Sequence, residues 1–279
     1  MSAFARRASA GQARSLIVIA IAAASLSACT DIAAGYGAEQ NYRAPRTPNG
    51  TADLSGIWQA NNTAHWNLEP HAASKGPLFQ LGAAFSIPPG LGVVEGGQIP
   101  YLPAALAKRD ANAANWLTLD PEIKCYMPGI PRATYMPYPF QIVQSADNIL
   151  FTYEYASASR IVRMNSQAQS PAPAWMGWST GRWDGESLVI DVIDHMEDTW
   201  FDRAGNYHSD ALKVTERYTA LDANTLQYEA TIEDPKVFSK PWKISMPLYR
   251  RRDPNMQLME YKCVEFAEEL MYGHLRKKP

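Results

Sequence analysis

The 279-residue chain has few cysteines and histidines and no excess of positive charge. It contains three Cys and five His, and its 26 Lys and Arg residues stand against 28 Asp and Glu residues. Three of the basic residues and none of the acids lie in the first 28 positions, so removal of that segment would leave a net charge of −5, from 23 minus 28. A polyanion such as nucleic acid is therefore not an expected partner.

Cofactor and metal fingerprints are also missing. The sequence has neither a helical H-E-x-x-H motif nor the ligand spacing of an EF-hand, and Gly90-Leu91-Gly92 lacks the preceding strand and third glycine of a dinucleotide-binding turn. No second long apolar run follows the N-terminal one, which excludes a helical protein that crosses the membrane several times. We therefore expect no cofactor and no metal.

The N-terminus has the layout of an export signal. Three arginines precede the apolar run 16–26, which is shorter than the roughly 20 residues that a spanning helix needs. Leu26-Ser27-Ala28-Cys29 resembles the lipobox of bacterial lipoproteins, which implies removal of residues 1–28 and a lipid on Cys29. An uncleaved transmembrane anchor is the alternative. Aspartate stands at position 31 rather than directly after the cysteine, so we expect outer-membrane attachment facing the periplasm.

Two cysteines remain after lipidation of the first. Cys125 and Cys263 would then lie in an oxidising compartment, and we expect them to form a disulfide. Two buried free thiols are the alternative.

The remainder is typical of a single mainly β domain. Residues 29–52 are small, polar or rich in proline and glycine, which indicates a tether, and residues 53–279 can bury one core. Composition and spacing predict short helices at 103–116 and 264–275. About ten short segments with turn residues between most of them predict strands, which favours an antiparallel closed or half-open barrel, since closure removes exposed edges. The segments are 57–58, 140–143, 149–155, 160–164, 176–183, 188–193, 212–218, 226–232, 242–249 and 257–263.

One acidic residue falls on the inward face of a predicted strand. Leu212, Val214, Glu216 and Tyr218 alternate along the segment, so the Glu216 carboxylate should point into the barrel, where an unpaired charge is costly. One interpretation is a general base or ligand anchor with a raised pKa, with Arg182 or Arg217 stabilising negative charge nearby. The other is a structural salt bridge to an inward arginine such as Arg182 or Arg163.

The loop at 194–210 is the densest in proton-handling groups. These are His195, Glu197, Asp198, Asp202 and His208. His208 is the best acid/base candidate because imidazole titrates near neutral pH, although a structural histidine is the alternative. Asp202 is typical of a turn in which the side chain bonds backbone amides, and ligation of zinc or calcium is a further alternative for the cluster. The aromatic residues that bracket the loop indicate that it folds over the barrel mouth.

Aromatic residues suit an apolar ligand. Trp178, Trp183, Trp200, Tyr218 and Tyr228 are candidate lining residues of a cavity, and ordinary core packing is the alternative. The sequence from residue 177 to 181 matches the G-x-S-x-G of α/β hydrolases, but no helix follows it, so its two glycines indicate a sharply bent strand.

Several short motifs spread over the mature domain resemble one family of exported, largely uncharacterised bacterial proteins. The motifs are Asp53-Leu54-Ser55-Gly56-Ile57-Trp58, Cys125 with Pro128-Gly129-Ile130-Pro131-Arg132, Pro139-Phe140-Gln141-Ile142-Val143, Gly181-Arg182-Trp183-Asp184-Gly185, Thr199-Trp200-Phe201-Asp202, His208-Ser209 and Thr215-Glu216-Arg217-Tyr218. In that family histidine or tyrosine is frequent at position 178 and histidine at position 213, where this chain has Trp and Lys. Gly56-Ile57-Trp58 also resembles the G-x-W of lipocalins, which implies a tryptophan that closes one end of a barrel.

Three functions follow from this sequence. The first is a lipid-anchored periplasmic barrel that binds a small apolar or aromatic molecule. The second is a cofactor-free lyase, isomerase or hydrolase of the same shape, in which Glu216 or His208 moves a proton. The third is an envelope interaction module without a pocket.

Overall fold

A computed structural model describes residues 42–76, 81–83 and 86–275. The predicted signal segment at 1–28 and the predicted lipidation of Cys29 concern residues outside these ranges. Nine strands form one closed barrel in which sequence neighbours are also spatial neighbours. The strands are β1 (Gly56–Ala60), β2 (Phe140–Gln144), β3 (Asn148–Tyr153), β4 (Ser159–Met164), β5 (Trp178–Asp184), β6 (Ser187–Ile193), β7 (Lys213–Ala220), β8 (Thr225–Glu233) and β9 (Trp242–Arg250). The predicted mainly β barrel is thus confirmed, and it is closed.

Eight of the nine strand pairings are antiparallel, and β4 and β5 run parallel. A ring with an odd number of strands cannot alternate in direction all the way round, so closure of β1 on β9 in antiparallel order requires a parallel pair elsewhere. The connection at 165–177 makes that pair possible, because a parallel return needs a dozen or more residues. The predicted strand at 257–263 does not form, which leaves nine strands instead of about ten.

Short helices lie in the connection between β1 and β2 and after β9. They are α1 (Pro103–Ala114), α2 (Trp116–Leu119), α3 (Arg132–Tyr135) and α4 (Ala267–Tyr272), with 3₁₀ turns at Tyr155–Ser157 and Gly273–Leu275. Pro103 starts α1, where its missing N–H costs nothing. The helix predicted at the C-terminus also forms, but its Leu270 and Met271 are exposed rather than packed against the barrel.

The C-terminal segment, residues 251–275, lies on the surface of the folded unit. No residue from 251 to 275 is buried, and a disulfide joins Cys263 to Cys125, as predicted. At the other end, the compact unit begins at Tyr42. Residues 42–52, the described part of the predicted tether, therefore belong to the folded unit: Ala52 is buried, and its carbonyl accepts a hydrogen bond from the side-chain amide of Gln144.

The inside of the barrel is packed with large side chains. Every strand contributes buried residues at alternate positions, and the inward aromatic rings include Phe140, Phe151, Tyr153, Tyr218 and Tyr228. Neighbouring rings lie in contact, with centroids 5.5 Å apart for Phe151 and Tyr218 and 4.9 Å apart for Tyr218 and Tyr228. The interior is therefore a core.

Candidate functional site

Glu216 lies in the centre of that core, as alternation predicts. Its side chain is fully buried and forms an ion pair with Arg160, with 2.6 Å between Oε2 and Nη1. The hydroxyls of Tyr218 and Tyr228 each donate a hydrogen bond of 2.9 Å to Oε1. Arg160 in turn donates to the Tyr153 hydroxyl at 3.1 Å, and Glu216 strongly raises the Arg160 pKa against the opposing effect of burial. Both charges are thus paired and removed from solvent.

The arginine that pairs with Glu216 is not one of the two named from the sequence. Arg163 lies on the outer wall, where its guanidinium carbon is 3.7 Å from the centroid of the Trp178 ring. Arg182 is exposed and pairs with Asp191. Both expectations were wrong for the same kind of reason. Positions 161 and 163 face outward in β4, so Arg160 takes the inward position. In β5 the buried positions are 179 and 181, so Arg182 faces outward.

Two more predicted site residues, Arg217 and Trp178, also lie away from the carboxylate of Glu216. Arg217 follows it in β7, points to the opposite face and pairs with Asp184 at 2.5 Å. Trp178 lies on the outer wall opposite the exposed Ile193. Trp183 is partly buried and packs against the core from β5. Arg217 and Trp178 therefore do not line an interior cavity, which corrects their expected positions.

The loop at 194–210 folds over one end of the barrel, as its aromatic residues predict. Trp200 and Tyr207 pair across it and are buried, and the Phe201 ring stands edge-on to Trp242 at 5.7 Å. Asp202 is fully buried and accepts hydrogen bonds from the backbone N–H groups of residues 68, 204 and 206 and from the Asn206 amide. Burial raises the pKa of Asp202 to about 7, against the effect of these donors. Asp202 has the turn-forming role that the sequence suggests.

His208 is enclosed in the same loop. Its Nε2 is 2.6 Å from the Thr199 hydroxyl and its Nδ1 is 2.8 Å from the Ser209 carbonyl, so both ring nitrogens are engaged. Its ring centroid is 5.9 Å from that of His195, which is also buried. Burial lowers the pKa of His208 and lowers that of His195 to about 3. Both imidazoles are therefore neutral at pH 7 and inaccessible to a substrate.

Ser179, at the centre of the G-x-S-x-G match, is buried inside β5. A Cβ built on Gly181 would lie 2.6 Å from the Val162 side chain, and Gly177 has a φ of +64°. The glycines therefore permit a close approach and a sharp bend, in agreement with the bent-strand interpretation.

A second charged cluster, on the side of the barrel near the disulfide, was not found from the sequence. Arg132 pairs with Asp120 through two hydrogen bonds of 2.8 and 3.0 Å and with Glu122 at 2.8 Å. Arg203 pairs with Glu122 through two hydrogen bonds of 2.9 Å and lies 3.4 Å from a Glu268 oxygen. Burial acts to raise the pKa of Glu122, but the guanidinium groups of Arg203 and Arg132 together lower it to about 2.

Arg203 also stacks on two tryptophans that border an open cavity. Its guanidinium carbon is 4.6 Å from the Trp66 ring centroid and 5.1 Å from that of Trp116, and the two indoles stand edge to face at 6.1 Å. The cavity has a volume of about 230 Å³. We name it the indole cleft; it is lined by Trp66, Asn67, His71, Ala72, Ser74, Ile87, Ala113, Trp116, Arg203 and Ala204. No local pattern marks it, because these residues come from irregular segments and helix ends far apart in the chain.

Among the residues that the structure describes, no three His, Cys, Asp or Glu side chains are grouped as a metal site. None of the described helices has the length and apolar character to cross a membrane. No protein-family model and no curated protein matches this chain.

Proposed function

We propose that this chain is a lipoprotein of the periplasmic face of the outer membrane that binds a small aromatic molecule in the indole cleft. The observation that carries the proposal is the pair of indoles fixed by Arg203 at the border of an open cavity. The charge of that arginine is engaged by Glu122 and Glu268, so it holds the tryptophans in place rather than presenting a free charge. Preorganised aromatic side chains of this kind are typical of small-molecule sites.

The lining defines the class of ligand. Ala72, Ile87, Ala113 and Ala204 supply apolar walls, while Asn67, His71 and Ser74 bring polar groups to the cleft. A volume of about 230 Å³ is below the range of roughly 300–1,000 Å³ for drug-sized ligands, which favours a molecule of one or two rings. We therefore expect an uncharged aromatic compound with a hydroxyl or N–H group at its edge.

A binding role is favoured over catalysis by the surroundings of the two acid/base candidates. The carboxylate of Glu216 and the imidazole of His208 are both buried and hydrogen-bonded to protein groups. A general acid or base must come within about 3 Å of a substrate atom. Neither group is accessible to a molecule in the indole cleft.

Calorimetric titration of the full chain with indole, phenol and 1-naphthol tests the cleft. Trp116→Leu should weaken binding by about tenfold or more, since it removes one of the two stacking surfaces. Trp175→Leu is the matched control, because Trp175 is also partly exposed but contacts the Tyr126 ring outside the cleft. Equal affinities in the two variants, or no binding of any of the three probes by the native chain, would refute the site.

The proposed anchor has its own test. Mass spectrometry of the protein purified from membranes should find an N-terminus at Cys29 that carries lipid, with residues 1–28 removed. An N-terminus at any other residue, or an unmodified Cys29, would contradict the lipoprotein proposal. The calorimetric titration would still test the indole cleft independently.

A further inference from the structure

Apolar side chains form a continuous row on the outside of the barrel. Val143, Leu150 and Ile161 lie directly opposite one another on β2, β3 and β4. Trp178 directly precedes Ser179, which pairs with Val162 in β4, and Trp178 itself lies opposite Ile193 of β6. The four aliphatic side chains are 46, 36, 47 and 39 % exposed. We call these five residues the outer apolar row.

Exposure of one apolar residue is ordinary, but four exposed aliphatic residues and the partly buried Trp178 in register on adjacent strands form a patch, and such patches mark interaction sites. Five strands spaced by about 4.8 Å make the row about 19 Å long. A strip of that length and one side chain in width is far smaller than the roughly 800 Å² per partner of a standard protein interface. The row is therefore better suited to shallow contact with lipid than to a stable protein complex.

Part of the wall around the row has few charges, although β5 and β6 carry the outward, ion-paired residues Arg182, Asp184 and Asp191. The other outward residues of β2, β3 and β4 are uncharged except for Arg163, and none is acidic. They are Gln141, Asn148, Thr152, Ser159 and Arg163. The wall formed by β7, β8 and β9 is different, since it carries outward Lys213, Arg217, Glu229, Glu233 and Lys243. Tryptophan and arginine side chains, here Trp178 stacked under Arg163, are favoured at the membrane–water interface.

The chain also enters the folded unit beside one end of the row. The Gln144 side chain, next to Val143, accepts a hydrogen bond from the backbone N–H of Leu54 at 2.5 Å and donates one to the Ala52 carbonyl at 3.0 Å. Residues 46–49 share a surface recess with Ser145 and Ala146 of the β2–β3 turn. Only twelve residues separate Cys29 from Tyr42, and a chain of that length spans at most about 45 Å.

We propose that the outer apolar row rests on the phospholipid surface to which Cys29 is tethered, with its side chains at the level of the lipid headgroups and upper acyl chains. This inference rests on the lipoprotein part of the proposed function. A tether confines the domain near the bilayer, so a weak apolar contact is enough to select one orientation. The row then fixes which wall of the barrel faces the membrane.

Fluorescence quenching by brominated lipid tests this orientation. The purified full-length lipoprotein is reconstituted in phosphatidylethanolamine–phosphatidylglycerol vesicles with and without brominated acyl chains. The native protein should lose fluorescence in the brominated vesicles, and Trp178→Phe should reduce that quenchable component about twofold or more, because Trp178 is the tryptophan of the row. Trp175→Phe is the control and should leave the quenchable component unchanged.

A triple variant, Val143→Ser, Leu150→Ser and Ile161→Ser, keeps all tryptophans but removes the apolar contact. It should fold normally by near-ultraviolet circular dichroism, because the replaced side chains are exposed, and should lose the quenching that depends on Trp178. Equal quenching in the native, Trp178→Phe and triple-variant proteins would overturn the proposal.

Two other outcomes separate this inference from its premise. If Cys29 carries no lipid, the anchor fails, and the same quenching experiment on protein added to preformed vesicles decides whether the row contacts lipid. If the native chain is instead a dimer by sedimentation, is not quenched, and becomes monomeric in the triple variant, the row is a contact between two copies and the membrane proposal is refuted.

Discussion

Replacement of Arg160 by methionine should lower the free energy of unfolding by about 3–5 kcal/mol, because it leaves the Glu216 carboxylate without its cation inside a packed barrel. The side chains of the pair are 2 % and 0 % exposed, so water cannot replace the guanidinium without disrupting the core. Methionine has nearly the length of the arginine stem, which limits the contribution from a cavity. The remaining hydrogen bonds to Glu216 come from Tyr218 and Tyr228 and cannot neutralise its charge.

A double-mutant cycle isolates the interaction. Glu216→Leu alone leaves Arg160 buried without its anion. The double variant, Arg160→Met with Glu216→Leu, removes both charges but leaves the hydroxyls of Tyr218 and Tyr228 without their acceptor, at a cost of about 1–3 kcal/mol for each unsatisfied group. The double variant should therefore remain less stable than the native protein. Its loss should nevertheless be smaller than the sum of the two single losses by at least about 2 kcal/mol.

Urea denaturation at pH 7, followed by tryptophan fluorescence with the disulfide intact, measures these differences. Arg182→Met is the matched control, since Arg182 and Asp191 form an ion pair on the outer wall and are 52 % and 41 % exposed; we expect it to cost less than about 1 kcal/mol. If Arg160→Met costs no more than the control, Glu216 does not carry an unpaired buried charge in the variant, and the reasoning from a desolvated carboxylate in a packed core is refuted.

Two further predictions concern pH and the disulfide. The pKa of His195 is lowered from 6.5 to about 3, so the unfolded chain takes up a proton that the folded chain rejects, and stability is lost as pH falls from about 6.5 towards 3. The native protein should lose about 2 kcal/mol more than His195→Leu between pH 7 and pH 5 in urea titrations, and parallel pH profiles would show that His195 is not the cause. The disulfide closes a loop with a sequence separation of 138 residues. The chain-entropy model therefore predicts that the Cys125→Ser, Cys263→Ser double variant is less stable by about 5 kcal/mol. An unchanged melting temperature would refute this estimate.

Strand alternation made much of the barrel predictable. In β7 and β8 the buried positions fall at every second residue, so the inward position of Glu216 follows from its neighbours. The parallel β4–β5 pair could not be predicted, since direction depends on closure of the whole ring rather than on any local pattern. The indole cleft was also hidden, because Trp66, Trp116 and Arg203 meet only through the packing of irregular segments.

The failure to identify Arg160 has a more specific cause. In β4, Ile161 is 47 % exposed while its neighbour Val162 is fully buried, so both faces of the strand carry an aliphatic residue. The period-two signal is then lost, and Arg160 and Arg163 cannot be told apart by hydrophobicity. Val143 and Leu150 have the same effect in β2 and β3, where apolar residues also lie on both faces. A strand that is apolar on both faces normally belongs to a sheet covered on both sides. The core covers the inner face of these strands. Their apolar outer face fits this rule if another surface covers it, such as the phospholipid surface proposed above.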